Sequence, residues 1–549
     1  MKIALLSNVN MDSLARKLNK DYSVYSSPGY GTWVQELMNK QSNLYEFEPE
    51  AIIVILDAEE LIRGKNDIDE IKSLLDEQKS YLISALAEIK SIPLFVSDFD
   101  LPPKKLASLK SQSQERVVED YWYRTLVTLN DTYSNFYIFD LKSLIEYAGR
   151  RTFYSEKLWY LGGIKYSVEG ESILQTHINR YLNAIKGHRK KCLVLDLDNT
   201  LWGGIAGEDG LNGIILSDFG EGARYKDFQK RLKEIKELGV LLTIISKNNE
   251  DDAMEIIRHH PDMILKADDF AATKINWQLK SINITELAQD LNLDVDSFVF
   301  IDDNPVERES VKLEHPRLTV PQFPIDSSQL PSFINQVYYD YFLIANYTQE
   351  DVIKTQMYKQ NVRRAELMKS TPSLEKYLQS LDTKIYVWKA KTSDVTRVSQ
   401  LTQKTNQFNM TTRRYTELDI QNFMHSDDYD VYVIASEDKF GDNGKVATVI
   451  LKKNKDNTAE IDTFLLSCRI MGRFMEDQIL SYVEDQSRQD GIRKMKAYYI
   501  PTAKNIPAED FFERMNYQII RNESTVKEYI LDLDKSFNDR KSFGEVIES

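Results

Sequence analysis

Lys190-Lys191-Cys192-Leu193-Val194-Leu195-Asp196-Leu197-Asp198-Asn199-Thr200-Leu201-Trp202-Gly203-Gly204 is the stretch that decides the fold. Its apolar run, Cys192 to Leu195, reads as a fully buried strand. The run ends in two carboxylates one residue apart, then Asn, Thr and a Gly pair. Open parallel sheets present ligands at the carboxyl ends of their strands, so Asp196 and Asp198 are expected at a site mouth. A D-x-D-x-T there suits metal-assisted phosphoryl chemistry. One carboxylate can attack phosphorus, the other can shuttle the proton, and Mg²⁺ offsets the negative charge. Taken alone, the stretch also reads as a solvated, Asp-rich turn.

Three later segments favour the first reading. Val240 to Ile245 is a second buried run, followed by Ser246, Lys247, Asn248 and Asn249, with a helix starting near Glu250. A hydroxyl, backbone N–H groups and a helix dipole together make an anion site. Ile275-Asn276-Trp277 leads to Lys280, a point charge for the same phosphate. Phe298 to Ile301 is a third run, and it ends in Asp302-Asp303-Asn304-Pro305, hard-oxygen ligands of the kind Mg²⁺ takes. Each segment falls where a strand should end.

In order and residue type these segments resemble the four motifs of the haloacid dehalogenase (HAD) superfamily. The wording CLVLDLDNTLWGG, SKNNEDDA, NWQLKSINI and FVFIDDNPVERE resembles its FkbH-like branch. The resemblance implies Asp196 as nucleophile and Asp198 as general acid/base. Thr200, Ser246, Lys247, Asn248 and Lys280 would line the phosphate site. Mg²⁺ would be held by Asp196, the Asp198 carbonyl and Asp302, with Asp303 as a second acid of unassigned role.

The whole chain has 549 residues, too many for one core, and suggests three or four domains. Apolar residues make up 42% and aromatics 11%, which supports globular burial throughout. A formal charge of −15 and a pI near 5.2 argue against general nucleic-acid binding or attraction to anionic membranes, while local basic patches remain open. The first residues carry too short an apolar run for a signal peptide, and no segment has the length of a membrane span. Cys192 and Cys468 are the two cysteines, too few for a disulfide framework or a Cys-based zinc site. A cytoplasmic, reduced protein is expected.

Residues 1–180 alternate strand-like runs (Ile3–Leu6, Ala51–Leu56, Ile92–Val96, Phe136–Leu141) with helical patterns, the rhythm of a parallel sheet covered by helices. The resemblance implies an SGNH- or flavodoxin-like α/β domain here. Ser7 and Asn8 follow the first strand, where an SGNH hydrolase keeps its nucleophile. No Asp-x-x-His pair follows, and His177 has no acid placed to orient it, so a non-catalytic scaffold is expected. Residues 188–325 form the HAD core, with a helix over Tyr225–Leu238 closed by Gly239. Only Leu201 to Arg224, rich in glycine, is left for a cap, which suits a turn-rich flap and an open site.

Residues 326–380 read as a helical connection. From 381 to 549 the order of strands, a glycine loop, a helix and a further strand is that of the GNAT acyltransferase fold. Arg469-Ile470-Met471-Gly472-Arg473-Phe474 is close to that fold's loop for the CoA pyrophosphate, which points backbone N–H groups at phosphate from a helix N-terminus. Its sixth position is usually Gly or Ala and here is Phe474. Arg469, Gly472 and Arg473 would suit the smaller anion of a phosphopantetheine arm. Asn406-Gln407-Phe408-Asn409 and Thr502-Ala503-Lys504-Asn505 also resemble FkbH-like wording, and read equally as loop and cap chemistry.

The overall expectation is an α/β multidomain protein with a Rossmann-like HAD core. By resemblance, it takes 1,3-bisphosphoglycerate, captures the acyl group as an enzyme thioester, and removes the remaining phosphate at the HAD site. Glyceryl then passes to an acyl carrier protein. One rival expectation is a HAD–acyltransferase acting on a phosphosugar or amino-sugar of surface polysaccharide; the other is a non-enzymatic assembly or binding protein that keeps the motifs only as scaffold, against which the complete motif set weighs. Cys468 is the expected acyl-bearing thiol, because nearby arginines and a helix N-terminus lower a thiol pKa. Cys192 lies about 13 Å from the metal site at 3.3 Å per strand residue, and reads as a small core residue.

Overall fold

A computed structural model describes every residue except 28, 30, 90–91, 103–113, 347–355, 361–362, 365–366, 369, 468–469, 536–541 and 549. The chain divides into two compact units, Met1–Ile185 and Lys186–Ser549.

The first unit is built on five parallel strands: β1 (Lys2–Ser7), β2 (Ser23–Ser26), β3 (Ala51–Ile55), β4 (Leu94–Ser97) and β5 (Phe136–Phe139). Their order, β2-β1-β3-β4-β5, is that of flavodoxin-like doubly wound sheets. Ala51 to Ile55 is buried throughout, as a central strand covered by helices on both faces must be. The edge strand β2 (SVYS) is half exposed, and Val24 and Tyr25 between two serines are too short a run to read.

The second unit carries two sheets. The first is parallel, in the order β8-β7-β6-β9, from β6 (Cys192–Leu195), β7 (Leu241–Ser246), β8 (Phe270–Ile275) and β9 (Phe298–Ile301). Its central strand β6 is wholly buried and pairs with β7 on one side and β9 on the other. Leu195 stands opposite Ile301, so the residues that follow these partners, Asp196 and Asp302, leave the sheet side by side. The helix Gly220–Glu237 covers one face with Phe228, Leu232 and Ile235. The helix Lys280–Leu291 covers the other with Ile284, Leu287 and Leu291.

The segment expected to be only turns contains helical turns over Ala206–Gly213, interrupted at Gly210 (φ +63°). Two carboxylates drive this: Asp209 Oδ2 accepts the Ile205 N–H at 2.8 Å, and Asp198 Oδ1 accepts the Ala206 N–H at 3.0 Å. Gly203 and Ile215 exchange backbone hydrogen bonds, closing the flap on itself. Gly204 adopts φ +93°, a conformation that strains any residue with a side chain, and a Cβ there would also displace Asp209 Oδ2.

The connection after β9 is helical over Leu330–Tyr341 and Leu374–Ser380. The second sheet follows, with β10 (Thr383–Lys389), β11 (Phe408–Asn409), β12 (Tyr429–Asp438), β13 (Gly441–Lys453), β14 (Thr458–Leu466), β15 (Lys494–Tyr499), β16 (Gln518–Glu523), β17 (Val526–Asp532) and β18 (Gly544–Glu548). It is antiparallel except for β14–β15 and β10–β18. The pairing of β14 with β15 spans only Thr458–Ile461 against Lys494–Ala497, and beyond it β11 pairs with Leu465 and Leu466. Phe408 and Met410 join the core of this sheet, so the fork between the two strands is filled by the chain itself. The helix Met475–Gln489 packs Ile479, Leu480 and Val483 on that core.

Candidate active site

The site lies at the carboxyl ends of β6, β7 and β9. Asp196 is nearly buried and its backbone N–H donates to the Ile301 carbonyl at 3.0 Å, tying the two strand ends together. Carboxylate oxygens of Asp196, Asp302 and Asp303 all lie within 4.8 Å of one another. Lys280 is buried beside them, its Nζ 3.0 Å from Asp196 Oδ2 and 2.6 Å from Asp302 Oδ2. Burial and the charge of Asp196 push Asp302 up to about 7, and the same two causes push Asp303 up to about 6. Burial opposes the Lys280 ammonium, but Asp196 and Asp302 more than offset it and hold its pKa above the usual lysine value.

This donor set fits a hard divalent cation. Three carboxylates face one ammonium, all the donors are oxygen, and Asp196 Oδ1 is buried without a hydrogen-bond partner. The Thr200 hydroxyl is likewise buried and unpartnered. Two unsatisfied polar atoms within one D-x-D-x-T turn are costly unless a ligand completes them.

The second carboxylate, Asp198, points elsewhere. Its Oδ1 accepts from the Trp202 indole N–H at 3.1 Å and its Oδ2 from Asn248 Nδ2 at 2.9 Å. Its carboxylate is thus turned to Trp202 and Asn248 and is not among the clustered acids. Asn199 adopts φ +52° in the turn that carries Asp198, where the Thr200 and Leu201 N–H groups donate to the Leu197 carbonyl.

Of the residues expected around phosphate, Ser246 and Asn248 are buried together at the end of β7, with Asn248 Nδ2 3.3 Å from Ser246 Oγ. Asn248 thus links the serine to Asp198. Lys247 is directed to Glu307 at 2.5 Å, so its charge already has a partner. Two contributors escaped the sequence reading. Arg308, buried on the helix Pro305–Glu314, donates to the carbonyls of Asp302 and Asp303 at 2.7 and 2.6 Å and fixes the loop that carries them. The Asn304 N–H donates to Asp302 Oδ1 at 2.9 Å. The DDNPxxR spacing carries a signal for Arg308, since a helix started by Pro305 brings its fourth residue under the loop.

In the second sheet, Cys468 and Arg469 lie outside the described residues. Gly472 is exposed with φ +77°. Arg473 is buried, with Nη1 3.0 Å from Asp438 Oδ2, and the same carboxylate takes a two-point bond from Arg364 at 2.7 and 2.8 Å. The guanidinium of Arg473 is therefore engaged inside the protein. Phe474 adopts φ +56° before a helix that opens with Glu476 and Asp477, and these acids meet Arg514 at 3.6 and 3.1 Å. Cys192 is fully buried, with Sγ 3.4 Å from Thr243 Oγ1.

In the first unit, Ser7 Oγ accepts the Val9 N–H at 3.2 Å, while His177 Nε2 meets Arg180 Nη1 at 3.2 Å. Acids beyond the strand ends are met by the unit's own cations: Lys165 lies 3.1 Å from Asp57 and 2.6 Å from Glu59, and Arg150 lies 2.7 Å from Asp100.

No family model matches the chain, and no curated protein matches it. Among solved structures it is similar to the N-terminal part of BF1531 from Bacteroides fragilis, a protein containing a phosphatase domain and crystallised with Mg. That match has 27% identity and a TM-score of 0.57, covering 63% of this chain and 95% of the other. The ribosomal-protein-S18-alanine N-acetyltransferase of Escherichia coli matches at 10% identity and a TM-score of 0.23, over 29% of this chain and 99% of the other. The spermidine/spermine N-acetyltransferase SpeG of Vibrio cholerae matches at 14% and 0.23, over 28% and 95%. No helix among the described residues is long and apolar enough to cross a membrane.

Proposed function

We propose that the chain is a magnesium-dependent HAD-type phosphatase coupled to acyl transfer, taking 1,3-bisphosphoglycerate and loading glyceryl onto an acyl carrier protein. The observation that carries the phosphoryl half is the cluster of Asp196, Asp302 and Asp303 around Lys280, with Asp196 Oδ1 left free. The similar Bacteroides fragilis structure, crystallised with Mg, supports it. The glyceryl substrate and the carrier rest on the FkbH-like wording of the motifs.

Asp196, Asp302, Asp303 and the Asp198 carbonyl would hold the cation, which supplies positive charge against the transferring phosphoryl group. Asp196 Oδ1 attacks phosphorus. The new O–P bond forms as the bond to the glyceryl oxygen breaks, and Asp198 gives its proton to that oxygen. Water then attacks the aspartyl phosphate, returns a proton to Asp198 and releases phosphate with Asp196 restored. Trp202, the Ala206 N–H and Asn248 hold the Asp198 carboxylate in place for both transfers. Ser246, Thr200 and Lys280 stand as donors for the phosphoryl oxygens. The flap is short enough to leave the mouth open to a substrate carried on a protein. The first unit serves as a scaffold without hydrolysis of its own.

The test is incubation with 1,3-bisphosphoglycerate, Mg²⁺ and a panel of holo carrier proteins, followed by intact mass. A glyceryl adduct on a carrier, without its phosphate, is expected. Asp196→Asn should leave the phosphate in place. A dephosphorylated adduct from that variant at the wild-type rate would defeat the assignment.

A further inference from the structure

Basic side chains from two distant parts of the second unit meet on one seam. The run Lys186-Gly187-His188-Arg189-Lys190-Lys191 leads into β6, and Gly187 packs on Gln403, where an added Cβ would lie 3.5 Å from the carbonyl oxygen. Lys190 Nζ donates to the Asp296 carbonyl, and Lys504 Nζ reaches Oδ2 of the same aspartate at 3.4 Å. Arg414 binds the Thr402 and Thr405 carbonyls and the Asn406 side chain. His188, Arg414 and Lys504 are exposed. Partial burial and the charges of Lys186, Arg414 and Lys504 hold the His188 imidazole below its usual pKa, an independent sign that these cations crowd together.

The two asparagine motifs that the active site does not use build this seam. Asn505, fully buried, donates to the carbonyls of Asn409 and Ile500 at 3.0 and 2.9 Å and accepts the Thr502 N–H at 2.7 Å. Asn409, also fully buried, accepts the Thr412 N–H at 2.9 Å. The turns carrying Lys504 and Arg414 are therefore pinned to each other and to β11.

We propose that this seam docks an acidic face of the protein that bears the acceptor thiol. The proposal rests on the acyl-transfer reading above. A local basic surface on a chain of net charge −15 favours an acidic partner compact enough to stay on it. A long polyanion such as nucleic acid would extend past the seam, more than one screening length of about 8 Å, onto a predominantly negative chain. Steering by such a patch acts mainly on the rate of encounter and weakens with salt.

The test uses the full chain and a fluorescently labelled holo acyl carrier protein with an acidic surface, read by anisotropy at low and high salt. The double variant His188→Glu, Lys504→Glu should bind about tenfold more weakly at low salt, with the difference shrinking as salt rises. Lys452→Glu with Lys455→Glu, two reversals at the end of β13 and in the turn after it, should bind like wild type. Mg²⁺-dependent hydrolysis of p-nitrophenyl phosphate should be the same in all three proteins, which reports folding and the catalytic site. Unchanged carrier binding in the seam variant would overturn the proposal, as would equal weakening in the control variant. A duplex oligonucleotide that binds wild type more tightly than the carrier does would also overturn it. Loss of carrier binding in the seam variant, with no glyceryl transfer by wild type, would keep the docking surface and defeat the glyceryl reading instead.

Discussion

Asn248 Nδ2 donates to Asp198 Oδ2 across 2.9 Å, joining the end of β7 to the turn that follows β6. The bond orients the carboxylate that the proposed mechanism uses twice for proton transfer. Asn248→Ala should lower kcat for phosphate release by about tenfold or more, short of the 10²–10⁴ that a positioned acid/base contributes, with little change in KM. A rise in KM at constant kcat would show that Asn248 acts on substrate binding instead.

Asp303 was an acid of unassigned role in the sequence, and the structure puts it in the cluster with Asp196 and Asp302. Asp303→Asn should raise the Mg²⁺ concentration for half-maximal activity by at least about tenfold. Activity titrated against Mg²⁺ is the measurement, and an unchanged midpoint would remove Asp303 from the metal site.

Cys468 is proposed as the thiol that carries the acyl group. Trapping the acyl-enzyme with 1,3-bisphosphoglycerate and mapping the modified peptide should place the label there, and Cys468→Ala should abolish it. Cys192 is fully buried in the central strand. Label on its peptide would overturn the choice.

In the first unit, Asp98 is buried and burial raises its pKa to about 7, with the nearby Asp140 adding to the shift and the Lys142 N–H opposing it. The folded state therefore keeps a proton that the unfolded chain releases near 4. Stability associated with Asp98 is fully present at acid pH and is lost as pH rises through about 7. Asp98→Asn, neutral at every pH, should gain stability over wild type as pH rises from 4.5 to 7, with no further gain above. Urea midpoints at pH 4.5, 6 and 8 measure this, and a pH-independent difference would refute it.

The strands that carry the site could be read because they are short, fully buried and mostly apolar: Cys192–Leu195 and Phe298–Ile301 are each followed at once by an aspartate, and Leu241–Ser246 ends on a serine. What escaped were elements without an apolar signature. The edge strand β2 holds only Val24 and Tyr25 between two serines, β11 is two residues long, and β16 is exposed along its whole length. Arg308 escaped because it acts on backbone carbonyls, and its one trace in the sequence is its place three residues after Pro305. The flap is a short segment, as its residue count implies, yet its helical turns were missed. They depend on carboxylates capping backbone N–H groups within and across the loop, at Asp209 and Asp198.

Lys280 gives the acid pocket a cation of its own, covalently part of the chain and within 3.0 Å of both Asp196 and Asp302. Two carboxylates that would repel each other in an empty pocket are already bridged before any ion arrives. The second unit can therefore fold before metal is bound, so a chelator should silence the enzyme and lower its melting temperature only by what the bound ion itself contributes, leaving the chain folded.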